Sequence, residues 1–246
     1  MHDDADATED SANTEYGADD AADAEGARST DELLRAARVW DPQVTRLPAF
    51  DPETAPETPL PLFANWFAEA VAAGEREPHT VSLATSDEEG LPDARIVILH
   101  GADAEGWSFA THDDSRKGRQ LDARPYAALV FYWPLLGRQV RLRGPVAAAP
   151  HEQSRADLHA RSTGALAAAL TGRQSEVLGS LDDLSRASEA AWEQARRAPE
   201  TDAPSWTLYR LAPAEAEFFQ GDPDRRHVRL RYRRTPDGWR RELLWP

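Results

Sequence analysis

The sequence predicts an α+β fold, an antiparallel barrel or sandwich with helices packed around it. Three observations predict it. Short apolar strands separated by Gly or Asp turns fill the stretch from Thr80 to Arg143. Helical periodicity brackets that stretch, at Leu62–Gly74 before it and between His151 and Arg197 after it. Alternating segments return at Trp206 and continue to the end of the chain.

Residues 1 to 27 hold ten acidic residues and no Lys or Arg, so they carry about −10 of the net charge of −15 and leave about −5 for the rest. With Tyr16 as its one aromatic, this stretch lacks the apolar surface needed to order itself. We read 1–28 as a disordered acidic tail. Ser29-Thr30-Asp31-Glu32 has capping-box form and should start a short helix. Pro48, Pro56, Pro59 and Pro61 mark an extended linker, which makes 29–58 a helix plus a Pro-rich connection and 59–246 the folded domain. Leu62, Phe63, Trp66, Phe67, Ala70 and Val71 share one helical face, and Gly74 closes that helix.

The strands follow in order: Thr80–Thr85, Ala94–His100, Trp107–Thr111, Tyr126–Trp133 and Gln139–Arg143. Helices are expected at His151–His159, Gly164–Leu170 and Leu184–Arg197. Strands are expected again at Trp206–Leu211, Ala216–Gln220, Val228–Arg233 and Trp239–Leu244. The basic run from Arg225 to Arg234 alternates with Val228, Leu230 and Tyr232, which fits a strand better than a nucleic-acid arm.

Composition narrows the function. The chain has no cysteine, so disulfides, thiolate zinc sites and a cysteine nucleophile are excluded. No apolar run approaches the roughly 20 residues needed to span a bilayer. The acidic N-terminus lacks a signal-peptide pattern, so a cytoplasmic protein without membrane or nucleic-acid partners is expected. No Gly-rich dinucleotide fingerprint, P-loop, H-E-x-x-H or G-x-S-x-G stands in the sequence, and no metal site is expected among seven scattered His.

The most informative stretch is Thr111-His-Asp-Asp-Ser-Arg-Lys-Gly-Arg119. It reads as a strand end, a tight turn and the first turn of a helix to about Asp122, capped by Asp114 or Ser115. Free N–H groups and the helix dipole attract anions there, and Arg116 and Lys117 add a planar fork beside a point charge. Lys117 is the only lysine in the chain, against 27 arginines. The plain alternative is a solvated basic turn.

Other polar residues punctuate apolar strands or the breaks between elements: Arg95, Gln139, Gln174-Ser175, and Phe218-Phe-Gln-Gly221 ahead of Arg225-Arg-His-Val-Arg229. With Leu62-Phe63-x-x-Trp66, Val81–Thr85, Ala94–Leu99, Phe109-Ala-Thr111, Ser115-Arg-Lys-Gly118, Phe131-Tyr-Trp133 and Arg138–Arg141, their order resembles the pyridoxamine/pyridoxine 5'-phosphate oxidase family from about Pro59 to Pro246. The resemblance implies a split antiparallel β-barrel with flanking helices over 59–246, and a homodimer with FMN at the interface. It implies that Arg95, Arg116 and Lys117 hold the FMN phosphate. The backbone of Ile96, Val97, Ile98 and Leu99, with Ala110 and Thr111, would line the flavin. Gln139, Gln174, Ser175 and Arg229 would contact ring, ribityl chain or phosphate. Phe219 stands where the family usually has Trp and loses the indole donor.

On the substrate side, Arg225 and His227 match the family's ring-contacting pair and are the expected catalytic residues, although Val228 replaces a common Asp. The family's substrate-phosphate clamp of Lys, Tyr, Arg and Ser becomes His100, Asp157, Arg161 and Ala165 here. A carboxylate repels a phosphate, and each lost charge-assisted bond removes roughly 1.5–3 kcal/mol. The same family includes flavin oxidases of phenazine biosynthesis, which the C-terminal Arg229-Leu-Arg-Tyr-x-Arg and Gly238-Trp-Arg-Arg resemble. The resemblance therefore implies an FMN-dependent oxidase that passes hydride from a small ring substrate to FMN, with reoxidation by O2. A specialised, phenazine-precursor-like substrate is expected. The alternatives are pyridoxal 5'-phosphate synthesis and a non-catalytic flavin-binding protein.

Overall fold

The computed structural model describes residues 28–37, 40 and 45–246. The acidic stretch 1–27 lies outside them. Two compact units divide the chain, 1–41 and 42–246. In the first, α1 (Thr30–Ala36) begins with the expected capping box. The Glu32 amide donates to Ser29 Oγ at 3.2 Å, and the Ser29 amide donates to Glu32 Oε2 at 2.8 Å.

The second unit is built on strands β1 (Thr80–Ser86), β2 (Pro92–Asp103), β3 (Gly106–His112), β4 (Tyr126–Trp133), β5 (Arg138–Ala148) and β6 (Trp206–Leu211). Neighbours pair antiparallel in the order β4-β1-β2-β3-β6-β5, and β5 returns to β4, so the six strands close into a barrel. Alternation dictates what fills it. Leu83, Phe109, Leu129, Phe131, Val140, Leu142 and Leu211 are fully buried, while Ile96 and Tyr132 point outward. Helix α2 (Pro59–Ala72), with Pro at its first turn, seats Phe63 against Phe131 and Trp133, and Trp66 against Phe218. Three further strands, β7 (Glu215–Gln220), β8 (Val228–Thr235) and β9 (Gly238–Leu243), extend the sheet beyond β5. The basic run is indeed a strand: Arg229 pairs with Glu217, and Arg231 and Arg233 with Glu242.

Helix α3 (Arg116–Ala123) follows β3. Helices α4 (His151–His159), α5 (Thr163–Thr171) and α6 (Leu181–Arg197) share a small second core of Leu158, Leu166, Ala167, Ala169, Ala195 and Ala203. The Pro-rich stretch behaves differently from a free linker over residues 50–56. Phe50 packs edge-on to Trp66, Tyr232 donates to the Pro56 carbonyl at 2.6 Å, and Arg241 donates to the Ala55 carbonyl. Among the described residues no helix is long and apolar enough to cross a membrane, and no cluster of His, Asp and Glu could hold a metal ion.

Candidate active site

The turn between β3 and α3 is built by Ser115, the capping residue of the two the sequence allowed. Its buried Oγ accepts from the Gly118 amide at 3.2 Å and donates to the His112 carbonyl at 2.6 Å. Gly118 is required by space. A Cβ there would lie 2.2 Å from the Asp113 carbonyl oxygen and 2.5 Å from that of His112. The turn is therefore wound tightly, and the first residues of α3, Arg116 and Lys117, line a cleft of about 560 Å³.

Three cations converge there. Arg95, from β2, is fixed by buried polar partners. It donates to Thr85 Oγ1 at 2.5 Å and to Gln120 Oε1 at 3.1 Å, and pairs with Asp93 at 2.7 Å. Arg116 meets the same Asp93 at 3.3 Å, and its amide donates to Ser175 Oγ. Lys117 Nζ donates to Gln174 Oε1 at 2.6 Å and to Thr111 Oγ1 at 3.0 Å. Partial burial opposes ionisation of Asp93, yet Arg95 and Arg116 hold its carboxyl below the ordinary range. Burial, and then repulsion from Arg95, lower Lys117 to about 8. Three cations against one carboxylate leave this corner short of negative charge, as a phosphate site requires. The donor set fits a phosphorylated flavin: cations at a helix N-terminus beside the exposed Ile96 and Ile98.

The same cleft is lined by Val97, His100, Ala110, Ala168 and Trp206. Leu99 sits in register with Phe109, turned toward the core. His100 Nδ1 lies 2.9 and 3.1 Å from the two oxygens of Asp157, and Arg161 Nη2 donates to Asp157 Oδ1 at 2.7 Å. Although burial opposes it, hydrogen bonds from His100 and Arg161 hold Asp157 below the ordinary carboxylate range.

The remaining predicted residues form a second cluster, on β5, β7 and β8. Gln139 faces Phe219 across one strand pair, and Phe219 faces Arg229 across the next. Phe219 and His227 lie 5.1 Å apart between ring centroids. The Asp222 amide donates to His227 Nδ1 at 3.0 Å, and Arg229 is held by buried Glu217 and by the Trp245 carbonyl. Arg225 is exposed, with φ at +67°, in the loop before β8. Within one chain these residues line no wall of the cleft described above.

Sequence reasoning passed over Asp93, Thr85, Gln120 and Trp206. Gln120 had a signal: it is a polar residue on the buried face of α3, beside Leu121.

Comparison with known proteins places these features in context. Residues 67–220 match the family described as pyridoxamine 5'-phosphate oxidase, and residues 206–246 match the pyridoxine 5'-phosphate oxidase C-terminal dimerisation region. A pyridoxine/pyridoxamine 5'-phosphate oxidase of Pseudomonas fluorescens (strain SBW25) is 42% identical over 195 residues, which cover 78% of this chain and 90% of that one. The protein of that name from Salinibacter ruber (strain DSM 13855 / M31) is 43% identical over 193 residues, covering 77% and 90%. Among solved structures, PhzG from Burkholderia lata 383, in complex with tetrahydrophenazine-1-carboxylic acid, superposes with a TM-score of 0.77 at 29% identity, covering 82% of this chain and 99% of that one.

Proposed function

The chain belongs to the pyridoxamine 5'-phosphate oxidase family, and on that premise we propose an FMN-dependent oxidase acting on a reduced aromatic ring compound that carries no phosphate. A phenazine precursor is the type of substrate meant. Asp157 carries the substrate reading. It accepts from both nitrogen donors left at the family's substrate-phosphate clamp, His100 and Arg161. A phosphate dianion would have to compete with that carboxylate for both donors. Two weakened charge-assisted bonds at roughly 1.5–3 kcal/mol each would lower affinity by about a hundredfold or more.

Arg95, Arg116, Lys117 and the N-terminus of α3 would hold the FMN phosphate. The backbone of Ile96 to Leu99, with Ala110 and Thr111, would line the ring, with Gln174 and Ser175 on the ribityl side. FMN supplies the redox chemistry, taking hydride from the substrate and returning the electrons to O2 as hydrogen peroxide. In a homodimer, Gln139, Phe219, Arg225, His227 and Arg229 of one copy would complete the cleft of the other. The match of residues 206–246 to a dimerisation region supports that arrangement. His227, through Nε2–H, and Arg225 would orient the substrate ring.

Pyridoxine or pyridoxamine 5'-phosphate oxidation is the second reading, favoured by relatives of that name at 42–43% identity. An anaerobic visible spectrum of FMN-loaded protein separates the two. Flavin bands that bleach with a dihydrophenazine carboxylic acid and persist with pyridoxine 5'-phosphate are the expected outcome. Bleaching by pyridoxine 5'-phosphate would overturn the substrate reading. Protein that takes up no FMN would overturn the flavoenzyme reading itself.

A further inference from the structure

His100 is the extra residue of a β-bulge. On β2, Leu99 is in register with Phe109 and Gly101 with Ser108, so His100 has no partner on β3. Bulges collect beside active sites. His100 keeps the face of Ile96 and Ile98, all three line the cleft, and its side chain is 9% exposed. Trp206 lies along it, with ring centroids 6.2 Å apart at 31°.

The hydrogen bonds then fix its chemistry. Asp157 is ionised and can only accept, so His100 Nδ1 donates. In the neutral ring, Nε2 therefore carries the lone pair. Arg161 holds Asp157 from the other side at 2.7 Å, which keeps the carboxylate ionised and in place. His227 is wired the opposite way. Its Nδ1 accepts from the Asp222 amide, so its neutral ring carries the proton on Nε2 and is a donor there. Of these two histidines, only His100 presents an acceptor at Nε2. Other titratable or charged groups lining its cleft are Asp93 and Arg95 from β2, Arg116 and Lys117 from α3, and His112 from β3.

Resting on the oxidase reading above, we propose that His100 accepts the proton released when the substrate is oxidised, and that Asp157 is its positioning residue. Oxidising a dihydro ring removes two electrons and two hydrogens. One C–H bond leaves as hydride to the flavin oxidant. The proton of the adjacent N–H or C–H goes to His100 Nε2, and that bond's electron pair becomes the new ring double bond. The imidazolium returns its proton to solvent; with bound flavin and O2 as the two-electron acceptor, substrate plus O2 would balance product plus hydrogen peroxide. The arrangement is that of an Asp-oriented histidine base.

The test uses FMN-loaded protein mixed anaerobically with a dihydrophenazine carboxylic acid, following flavin bleaching against pH in wild type, H100Q and D157N. The wild-type rate should rise with pH to a plateau. H100Q should lose about a hundredfold in rate and lose that pH limb, with little change in half-saturation. D157N should keep a limb at a shifted pH. In a readout independent of turnover, 15N NMR of wild type should show His100 protonated at Nδ1, and D157N should lose that preference. H100Q that bleaches at the wild-type rate with the wild-type pH limb would overturn the proposal, as would an Nε2-protonated His100 in wild type. If H100Q fails to fold, D157N and the NMR tautomer decide alone. If pyridoxine 5'-phosphate proves to be the only donor, the substrate reading fails and the same pH series with that donor decides the proton acceptor. Wild type that neither donor bleaches would overturn the oxidase reading and this proposal together.

Discussion

Flavin affinity should fall as pH rises from 7 to 9, and Lys117 should be the cause. Its ammonium is half-buried in the cleft; that burial, and then the Arg95 charge, lower it to about 8 from an ordinary 10.5, with Asp93 opposing. The sign is that of a lowered lysine. Below about pH 8 the folded protein carries an electrostatic cost, which fades as pH rises toward 10.5 and the group is neutral in both folded and unfolded states. A bound phosphate reverses the balance, because its dianion, fully formed above a second pKa of about 6, stabilises the ammonium. Between pH 7 and 9 the charged fraction of Lys117 in the free protein falls from about nine-tenths to about one-tenth. The dissociation constant should therefore rise about tenfold, or about 1.4 kcal/mol. Arginine stays protonated throughout, so Lys117→Arg should bind FMN with a flat pH dependence over that window. Quenching of FMN fluorescence on titration with apoprotein measures both. A wild-type dissociation constant that does not change from pH 7 to 9 would refute the reasoning, as would the same slope in Lys117→Arg.

Two further predictions test the scaffold beneath the site. Gly118→Ala forces a Cβ to within 2.2 Å of the Asp113 carbonyl oxygen, which is backbone and cannot swing away; it should cost about 3 kcal/mol in urea unfolding and leave the purified protein colourless. Trp66→Ala empties a position 2% exposed, between Phe50, Phe218 and the Arg138 guanidinium, which sits 4.3 Å above its ring. It should cost about 4 kcal/mol by the same measurement, and a loss under about 1 kcal/mol would contradict the packing described.

The elements were legible where one local rule decided them. Tyr126–Trp133, His151–His159 and Trp206–Leu211 have the bounds that alternation or helical periodicity assigns. β5 runs five residues past the expected Arg143, through Gly144 and Pro145, residue types that strand interiors disfavour. In the fold, Gly144 is the place where the chain after β6 crosses: a Cβ would lie 2.2 Å from the Ala212 carbonyl oxygen. Pro145, which cannot donate, accepts from the Ala212 amide at 3.0 Å. β2 is longer than expected for a related reason: its register shifts at His100, and a bulge has no two-residue period to betray it. The cationic corner was legible because Ser115, Arg116, Lys117 and Gly118 are contiguous. The network that holds Arg95 was not, because Thr85, Asp93 and Gln120 meet only after β1, β2 and α3 pack. Asp157 reaches His100 across 57 residues, a distance over which spacing says nothing.

The two clusters of site residues follow from one feature of the sheet. β5 offers one edge to β4 along Arg138–Pro145 and divides the other. Its first half pairs with β7 and its last residues pair with β6. Gln139 is thereby committed to the β7–β8 extension, while Arg95 and Lys117 belong to the β1–β3 side of the barrel. Each set is held by its own buried partner, Glu217 for Arg229 and Gln120 for Arg95, and none of the site residues on β5, β7 and β8 lines the cleft within one chain. Two copies of the chain would serve a ligand needing both sets, an arrangement that the match of residues 206–246 to a dimerisation region supports. On this argument the proposed chemistry calls for the dimer.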